Sequence, residues 1–340
     1  MRALTIAQAN RVDVREMPVP DPAPSEVLIR VAACGICGTD VHILRGEYLG
    51  DYPIVPGHEF AGQVVAVGRG VSRIGSGDRV AVEPNIACDN CNPCLNNRQN
   101  FCQNWQAIGV TRQGAMAEYV TAPEKVVVEI GDLSYAQGAF IEPLSCVIHG
   151  IERAEIALGD RVAILGAGPI GLLLLQVALT RGPVEVTVLE RQPARGALAE
   201  AYGARWVPTL TALPEDAYDV VIDATGALPV MARTPALARK GGSVLLFGVP
   251  PRGAKLSLDA FTIFEKGLTV RSSFTSRRNT FQALALIRSG AVRVDDLVSH
   301  RLPLERFQEC VALIEEGQED VVKVLMLPSG TELPLTETRT

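Results

Sequence analysis

The sequence predicts an α/β protein of two domains, one mostly β and one built on a doubly wound parallel sheet. With 340 residues, the chain is too long for one small core. Its first 150 residues read as short apolar strands separated by glycine and proline. From Gly159 onward, β-branched apolar runs alternate with helix-compatible segments, which is typical of a parallel sheet covered by helices.

In the first part of the chain, three apolar runs predict strands joined by long loops: EVLIRVAA, FAGQVVAVG and DRVAVEP. In the second part, five runs predict the parallel sheet, namely RVAILG, VEVTVLE, YDVVIDATG, GGSVLLFGV and LTVRSSF. TFQALALIRSG predicts a helix that ends at Gly290. Residues 297–327 predict strand, helix and strand, and we place them with the first domain. The expected domains are 1–149 with 291–340, and 150–290.

Composition and charge exclude several functional classes. Hydrophobic residues make up 47% and charged residues 21% of the chain, as in an ordinary globular protein. The net charge is −6 and no basic run is present, so no nucleic-acid partner is expected. Residues 162–180 are uncharged and long enough to cross a bilayer, but three glycines and a proline interrupt them. A buried strand followed by a buried helix is the preferred interpretation, without a membrane.

Cysteine usage indicates the compartment. The opening residues, MRALTIAQANRVDVREMP, contain no apolar core typical of a signal peptide. Eight cysteines without such a signal suggest metal ligands or thiols more than disulfides. We therefore expect a cytoplasmic protein.

A dinucleotide fingerprint lies in LGAGPIG, where Gly166, Gly168 and Gly171 form G-x-G-x-x-G around Pro169 and Ile170. The pattern alone is weak, but here it follows a predicted strand and opens a predicted helix. The first glycine suits a tight turn, the second lets the backbone approach a pyrophosphate, and the third allows close packing of helix on strand. A purely structural turn is the alternative.

An acidic residue supports the fingerprint. Glu190 closes the next predicted strand, where the adenosine ribose is expected. A carboxylate there accepts hydrogen bonds from both ribose hydroxyls and repels a 2′-phosphate, which favours NAD over NADP. Arg191 follows at once and can hold that phosphate instead, so NADP stays open. Arg195 is a further candidate for binding the coenzyme.

Four cysteines in ACDNCNPCLNNRQNFC predict a structural zinc site. Their spacing is C-x2-C-x2-C-x7-C. Four thiolates complete a tetrahedral shell and leave no position for substrate. The alternative is a set of unrelated surface thiols. The predicted ligands are Cys88, Cys91, Cys94 and Cys102.

A second metal site is suggested by CGICGTDVH and PGHEF. Cys37, His58 and Glu59 offer a thiolate, an imidazole and a carboxylate, a plausible zinc shell with an open fourth position. The spacing alone is not diagnostic, because a His-Glu pair is often hydrogen-bonded for purely structural reasons.

The motifs GICGTDVH, VPGHEFAGQVVAVG, GDRVAVEP, the four-cysteine loop, IEPLSCVIHG and GAGPIGLL occur in the order seen in medium-chain zinc-dependent alcohol dehydrogenases. The chain resembles their polyol branch, the sorbitol and arabitol (or arabitol-phosphate) dehydrogenases, over nearly its whole length. The resemblance implies a GroES-like catalytic domain, a Rossmann domain, two zinc ions, NAD and a homotetramer or homodimer. It also implies hydride transfer from a secondary alcohol, in particular a polyol, to give a ketose.

The resemblance assigns roles to residues of this chain. Cys37, His58 and Glu59 match the catalytic-zinc residues, and Glu142 matches a glutamate that polyol dehydrogenases carry at that site. Since a second bound carboxylate would make the site net negative, we expect Glu142 to exchange with water or to hydrogen-bond the zinc water. Thr39 matches a hydroxyl residue that touches the substrate oxygen, and His42 a proton-relay histidine. Alternatively, Thr39 caps a helix and His42 lies on its surface.

One departure concerns the substrate. Sorbitol dehydrogenases carry an Arg-Tyr pair that is implicated in polyol binding, whereas this chain reads Thr275-Ser276 in SSFTSRRNTF. Sorbitol itself is therefore not favoured. Other secondary alcohols, such as L-threonine or a butanediol, form one alternative. A nucleotide-binding relative without catalysis forms another.

Overall fold

A computed structural model describes residues 1–317 and 321–330 and contains two compact units. The first unit comprises Met1–Ser145, Thr280–Arg288 and the chain from Val294 onward. The second comprises Cys146–Asn279 and Ser289–Arg293. Residues 331–340, which the sequence prediction assigned to the first domain, lie outside the described residues.

Strands and helices are numbered in chain order. The strands are β1 (Arg2–Gln8), β2 (Arg11–Glu16), β3 (Glu26–Gly35), β4 (Glu59–Val67), β5 (Arg79–Val82), β6 (Asn85–Ile86), β7 (Gln106–Ala107), β8 (Tyr119–Pro123), β9 (Val127–Glu129), β10 (Arg161–Leu165), β11 (Glu185–Leu189), β12 (Arg205–Val207), β13 (Tyr218–Asp223), β14 (Ala238–Leu246), β15 (Thr269–Ser272), β16 (Val298–Pro303) and β17 (Lys323–Leu327). The helices are α1 (Gly38–Arg45), α2 (Asn92–Leu95), α3 (Tyr135–Ala139), α4 (Ile141–Ala154), α5 (Pro169–Leu179), α6 (Pro193–Ala201), α7 (Leu228–Met231), α8 (Thr234–Leu237), α9 (Ala260–Lys266), α10 (Thr280–Arg288) and α11 (Phe307–Glu316).

The first unit is mostly β, as predicted. Within the described residues its main sheet has seven strands in the order β16-β17-β3-β4-β5-β9, with β8 also paired to β3. β3 is buried at nine of its ten positions, because strands pair along both of its edges. The predicted segments EVLIRVAA, FAGQVVAVG and DRVAVEP form β3, β4 and β5. These three predictions are confirmed.

The C-terminal segment folds as strand, helix and strand, which confirms its predicted secondary structure. It forms β16, α11 and β17. β17 pairs antiparallel with the end of β3, with Leu325 opposite Gly35 and Met326 opposite Cys34. Lys323 is thereby brought beside Ile36, which follows β3, although the two residues are almost 300 positions apart in sequence.

The second unit is a parallel sheet. Its strand order is β12-β11-β10-β13-β14-β15, and each neighbouring pair is parallel. Chain order reverses between β10 and β13, which is the switch point where doubly wound sheets bind ligands at the carboxyl ends of the strands. Five strands were predicted. β12 was missed because it has only three residues and begins with an exposed arginine.

Residues 162–180 divide between a buried strand and a buried helix, as predicted. They form most of β10 and all of α5, which is buried from Gly171 to Ala178. Gly166 turns the chain between them with φ 103°. In the described part of the chain, every helix is too short or too polar to cross a bilayer.

α10 differs from the expected grouping. The sequence prediction placed 280–288 with the second domain, whereas the structure groups α10 with the first unit. The Thr280 hydroxyl donates to Glu83 Oε2 at 3.3 Å, and Arg288 Nε lies 3.9 Å from Asp132 Oδ1. These side-chain contacts join distant parts of the sequence, so local patterns do not reveal them.

Candidate metal and coenzyme sites

The loop after β3 presents Cys37 at the start of α1. Cys37 is the N-cap residue, and its backbone N–H donates to Asp40 Oδ2 at 2.9 Å. The other oxygen of this fully buried carboxylate accepts from the Gly57 backbone N–H at 3.1 Å. Asp40 therefore ties the cysteine loop to the segment that carries His58 and Glu59. It was not singled out from the sequence, although an acidic residue three positions after an N-cap is a recognisable signal.

The turn before β4 depends on Gly57. Its φ is 96°, and a Cβ there would lie 2.7 Å from Cys34 Sγ and 2.8 Å from the Met116 backbone nitrogen. Only glycine fits so close an approach in this left-handed conformation. The next two residues, His58 and Glu59, are buried after this turn, with 6% and 1% of their surfaces exposed.

Three predicted ligands come together in the first unit. One donor atom each from Cys37, His58 and Glu59 lies within 4.8 Å of the other two. Thiolate, imidazole and carboxylate are the donors that zinc takes, and three protein ligands leave a fourth position open. These residues therefore fit a catalytic zinc. Glu142, buried in the first turn of α4, is not part of this group among the described residues.

Charges around this group are strongly coupled. Burial lowers the pKa of His58, but the Asp40 carboxylate, 3.5 Å from His58 Nδ1, and Cys37 together outweigh burial and raise that pKa well above its ordinary value. Burial likewise lowers the pKa of Lys323, but the charges of Glu59, Cys37 and Asp40 and the hydrogen bond to Glu59 together outweigh burial, so this pKa is raised. Lys323 Nζ donates to Glu59 Oε2. Lys323 was missed from the sequence; its signal is a single charge inside the apolar run VVKVLML.

Thr39 and His42 both lie on α1 and are half-buried. Cys37, not Thr39, is the N-cap, so the structure does not support the alternative in which Thr39 caps the helix. His42 Nδ1 lies 3.0 Å from Glu47 Oε2. Residues three apart on a helix share a face, so Thr39 and His42 project from the same side of α1.

The four cysteines of the loop form a compact group. One sulfur each from Cys88, Cys91, Cys94 and Cys102 lies within 4.8 Å of the others. The Cys91 sulfur is 3.4 Å from that of Cys94 and 3.9 Å from that of Cys102. A tetrahedron with Zn–S bonds of about 2.3 Å has S–S edges of about 3.8 Å. The group therefore fits a structural zinc.

The thiols of this group differ in acidity. The Asn90 backbone N–H lowers the pKa of Cys88 to about 6, whereas burial raises that of Cys94 to about 12. Two further N–H groups, of Cys88 and Asn104, point at Cys102 Sγ at 3.2 and 3.3 Å. Because metal binding requires thiolates, a cation must overcome the resistance of Cys94 to ionisation, as zinc does.

The glycine turn of the second unit shows three different roles. Gly166 has φ 103°, a conformation that favours glycine. A Cβ on Gly168 would meet no atom within 4 Å, so this position leaves open space in front of α5. A Cβ on Gly171 would lie 1.9 Å from the Gly166 carbonyl oxygen. Pro169 and Ile170 form the first turn of α5.

Glu190 lies directly beyond β11, next to this turn. Its Oε2 accepts from the Ala167 backbone N–H and its Oε1 from the Gln192 backbone N–H, both at 2.9 Å. The Trp206 indole N–H donates to the Glu190 carbonyl at 2.8 Å. The ends of β10 and β11 are thus joined through the Glu190 carboxylate, and β12 is joined to the same residue through its backbone carbonyl. Arg191 is exposed and Arg195 is half-buried on α6.

Asp223, which the sequence did not single out, shapes the adjoining loop after β13. Its carboxylate accepts from the Thr225 hydroxyl at 2.6 Å and from the Gly226 backbone N–H at 3.1 Å. Burial raises its pKa. The position at the switch point between β10 and β13 suits a loop that contacts the coenzyme. An acidic residue at a strand end followed by Ala-Thr-Gly was the available signal.

Comparison with known proteins agrees with this geometry. Residues 23–132 match the alcohol dehydrogenase GroES-like domain, and residues 169–289 match the zinc-binding dehydrogenase family. A D-altritol 5-dehydrogenase from Agrobacterium fabrum is 37% identical, over 89% of this chain and 93% of the relative. A D-arabitol-phosphate dehydrogenase from Enterococcus avium is 34% identical, over 92% of each chain. A zinc-binding dehydrogenase from Sinorhizobium meliloti, solved with NADP, has a TM-score of 0.90 at 37% identity, over 96% of this chain and 99% of that one.

Proposed function

Because the chain belongs to the zinc-binding alcohol dehydrogenases of the medium-chain superfamily, we propose that it oxidises a polyol, a sugar alcohol or its phosphate to a ketose with NAD. It is an oxidoreductase that uses zinc and a nicotinamide coenzyme. The alternative of a relative without catalysis is therefore dropped. The proximity of donor atoms from Cys37, His58 and Glu59 is the observation that carries the proposal.

The residues of the first unit have distinct proposed roles. When bound, zinc would supply Lewis-acid chemistry that favours loss of a proton from an alcohol, and NAD would serve as the hydride acceptor. Cys37, His58 and Glu59 hold the metal. The Thr39 hydroxyl accepts the proton of the alcohol as it gives up its own proton, and the His42 imidazole, oriented by Glu47, carries the released proton towards solvent. Glu142 remains a proposed residue of the site that acts through water.

The coenzyme residues have proposed roles in the second unit. Gly166, Gly168 and Gly171 admit the pyrophosphate in front of α5, with Pro169 and Ile170 in the first turn. Glu190 accepts from the ribose hydroxyls, which favours NAD over NADP. Arg191 and Arg195 provide the positive charge that a 2′-phosphate would use. Because a structural relative was solved with NADP, the activity should be measured with both coenzymes.

A polyol is favoured over other secondary alcohols by the named relatives that act on altritol and arabitol phosphate. Glu142 in IEPLSCVIHG agrees with that choice. Initial rates with NAD should be measured for polyols, polyol phosphates, 2,3-butanediol and L-threonine, followed by NADH absorbance. Faster oxidation of a polyol or its phosphate is expected. A higher kcat/KM for L-threonine or the diol would reject the polyol assignment.

Location and assembly are also proposals. No disulfide joins any of the eight cysteines in the described residues, which suits the cytoplasm. A homodimer or homotetramer is supported by Phe261 and Phe264 on α9, which are 69% and 80% exposed. Sedimentation equilibrium would measure the mass, and a monomer at micromolar concentration would reject the assembly.

A further inference from the structure

Lys323 is a buried lysine at the first position of β17. It is 3% exposed, and its partner Glu59 is 1% exposed. Besides the bond to Glu59 Oε2, its ammonium donates to the Ile36 carbonyl oxygen at 2.9 Å. Ile36 directly precedes Cys37, so one ammonium contacts both chain segments that supply the proposed metal ligands.

A glycine makes room for this pair. Gly35 ends β3 opposite Leu325 of β17. A Cβ at Gly35 would lie 2.3 Å from Glu59 Oε2 and 2.8 Å from Lys323 Cε. Any larger residue would therefore occupy the space that the carboxylate and the lysine stem share. We refer to Gly35, Glu59 and Lys323 together as the Gly35 cradle.

Stability alone is a poor reason for the cradle. Removing two charges from water costs more than a buried pair commonly returns, so apolar side chains would serve the fold as well. The position of the lysine offers another reason. Lys323 binds one oxygen of the Glu59 carboxylate, and a donor atom of that carboxylate lies within 4.8 Å of donor atoms of Cys37 and His58. A zinc ion bound by one thiolate and one carboxylate is formally neutral, and Lys323 adds a positive charge next to it.

We propose that Lys323 is a positioning residue of the metal centre, an inference that rests on the proposed function. By holding Oε2 of Glu59 in the Gly35 cradle, it restricts Glu59 to one oxygen for the metal. Its charge also offsets that of the carboxylate. The site then binds zinc less tightly than the same ligands would without the lysine, and the bound zinc is a stronger Lewis acid. A lower zinc affinity together with a greater Lewis acidity of the bound zinc explains why a lysine is buried beside a cation site.

The test compares Lys323→Met with the wild type as full-length proteins. Removing the ammonium frees both oxygens of Glu59, so zinc should dissociate from this site at least tenfold more slowly into a chelator. The visible spectrum of the cobalt-substituted protein should shift, and kcat should fall at least tenfold. Lys323→Arg, which keeps the positive charge, should recover part of the turnover and should release zinc faster than Lys323→Met does. A purely structural lysine predicts the opposite for zinc, since a damaged site loses metal faster.

A matched control is Lys266→Met. Lys266 is also a buried lysine, 9% exposed, and donates to the carbonyls of Pro235, Ala236 and Ala238 in the second unit. Its replacement should leave zinc release and the cobalt spectrum unchanged. If Lys323→Met does not fold, Lys323→Gln removes the charge but keeps a donor for the Ile36 carbonyl oxygen, and slower zinc release is again expected.

The outcomes separate the two proposals. A wild-type protein that binds one zinc per chain, at the four-cysteine loop only, would overturn the proposed function and this inference with it. Two zinc ions per chain, with release from the Cys37 site unchanged or faster in Lys323→Met or, where that variant does not fold, in Lys323→Gln, would overturn the inference alone.

Discussion

The Ala167 backbone N–H donates to Oε2 of Glu190 at 2.9 Å, so the glycine turn after β10 and the end of β11 share one carboxylate. Glu190 therefore stabilises the turn, and it is the acidic residue that we propose binds the adenosine ribose. Its side chain is 8% exposed, and a charged acceptor held by two N–H groups in that setting is well ordered.

Glu190→Ala should shift coenzyme preference towards NADP. Hydrogen bonds to a charged group contribute about 1.5–3 kcal/mol, so kcat/KM with NAD should fall by about tenfold to a hundredfold. The NADP value should fall less, because repulsion of the 2′-phosphate is lost and Arg191 remains. Steady-state kinetics with both coenzymes measures the ratio. Glu185→Ala, at the other end of β11, is the control, and an equal shift there would contradict the assignment.

Two glycines of the fingerprint should respond differently to alanine. Gly171→Ala places a methyl group 1.9 Å from a carbonyl oxygen and should lower the free energy of unfolding by about 2 kcal/mol or more. Gly168→Ala meets no protein atom, so stability should hold while NADH affinity drops. Urea unfolding and NADH fluorescence titration separate the two effects. A destabilised Gly168 variant with normal affinity would argue against a pyrophosphate there.

Cys94→Ser should remove one zinc per chain. Cys94 is buried within the four-sulfur group, so a serine leaves an incomplete shell. Metal analysis by mass spectrometry should give about one zinc in place of about two, and the melting temperature should fall. Cys146→Ala, outside both metal groups, should keep the wild-type zinc content. Loss of zinc from that control would point to general damage.

Cys37→Ser should abolish turnover while NADH still binds. The thiolate is a proposed ligand in the first unit, whereas the fingerprint lies in the second. A drop in kcat/KM of about a thousandfold or more is expected when the metal is lost. Fluorescence titration gives the NADH affinity and metal analysis the zinc content. Near-normal activity in a variant that lacks this zinc would reject the mechanism.

His149 should make the protein less stable in mild acid. Burial lowers its pKa, and the charges of Arg277 and Arg153 act in the same direction, against a hydrogen bond to the Thr275 carbonyl and the charge of Glu152. Below about pH 6.5 the unfolded chain binds a proton that folded His149 resists, so stability falls as pH drops through that value.

The His149→Gln variant isolates this contribution. Urea unfolding at pH 7.5 and pH 5.5 should show a smaller loss of stability in the variant than in the wild type. Between pH 7.5 and 8.5 the two proteins should respond alike, because His149 is neutral in both the folded and unfolded states there. A steeper acid response in the variant would contradict the assignment.

Local sequence determined most of the architecture. Apolar β-branched runs such as RVAILG and VEVTVLE became buried parallel strands, since period and composition decide whether a segment is buried. The glycine fingerprint and the four-cysteine loop could also be predicted from local sequence. Their chemistry lies within a few consecutive residues, whose spacing already restricts their geometry.

Tertiary structure alone decided the surroundings of the proposed catalytic group. The ammonium of Lys323 meets Glu59 because β17 pairs with the end of β3, a contact across 264 positions that no local pattern encodes. α10 joined the first unit through side-chain contacts of the same long range. Electrostatic partners act through space over a few ångströms, so they become defined only when the strands that carry them have paired.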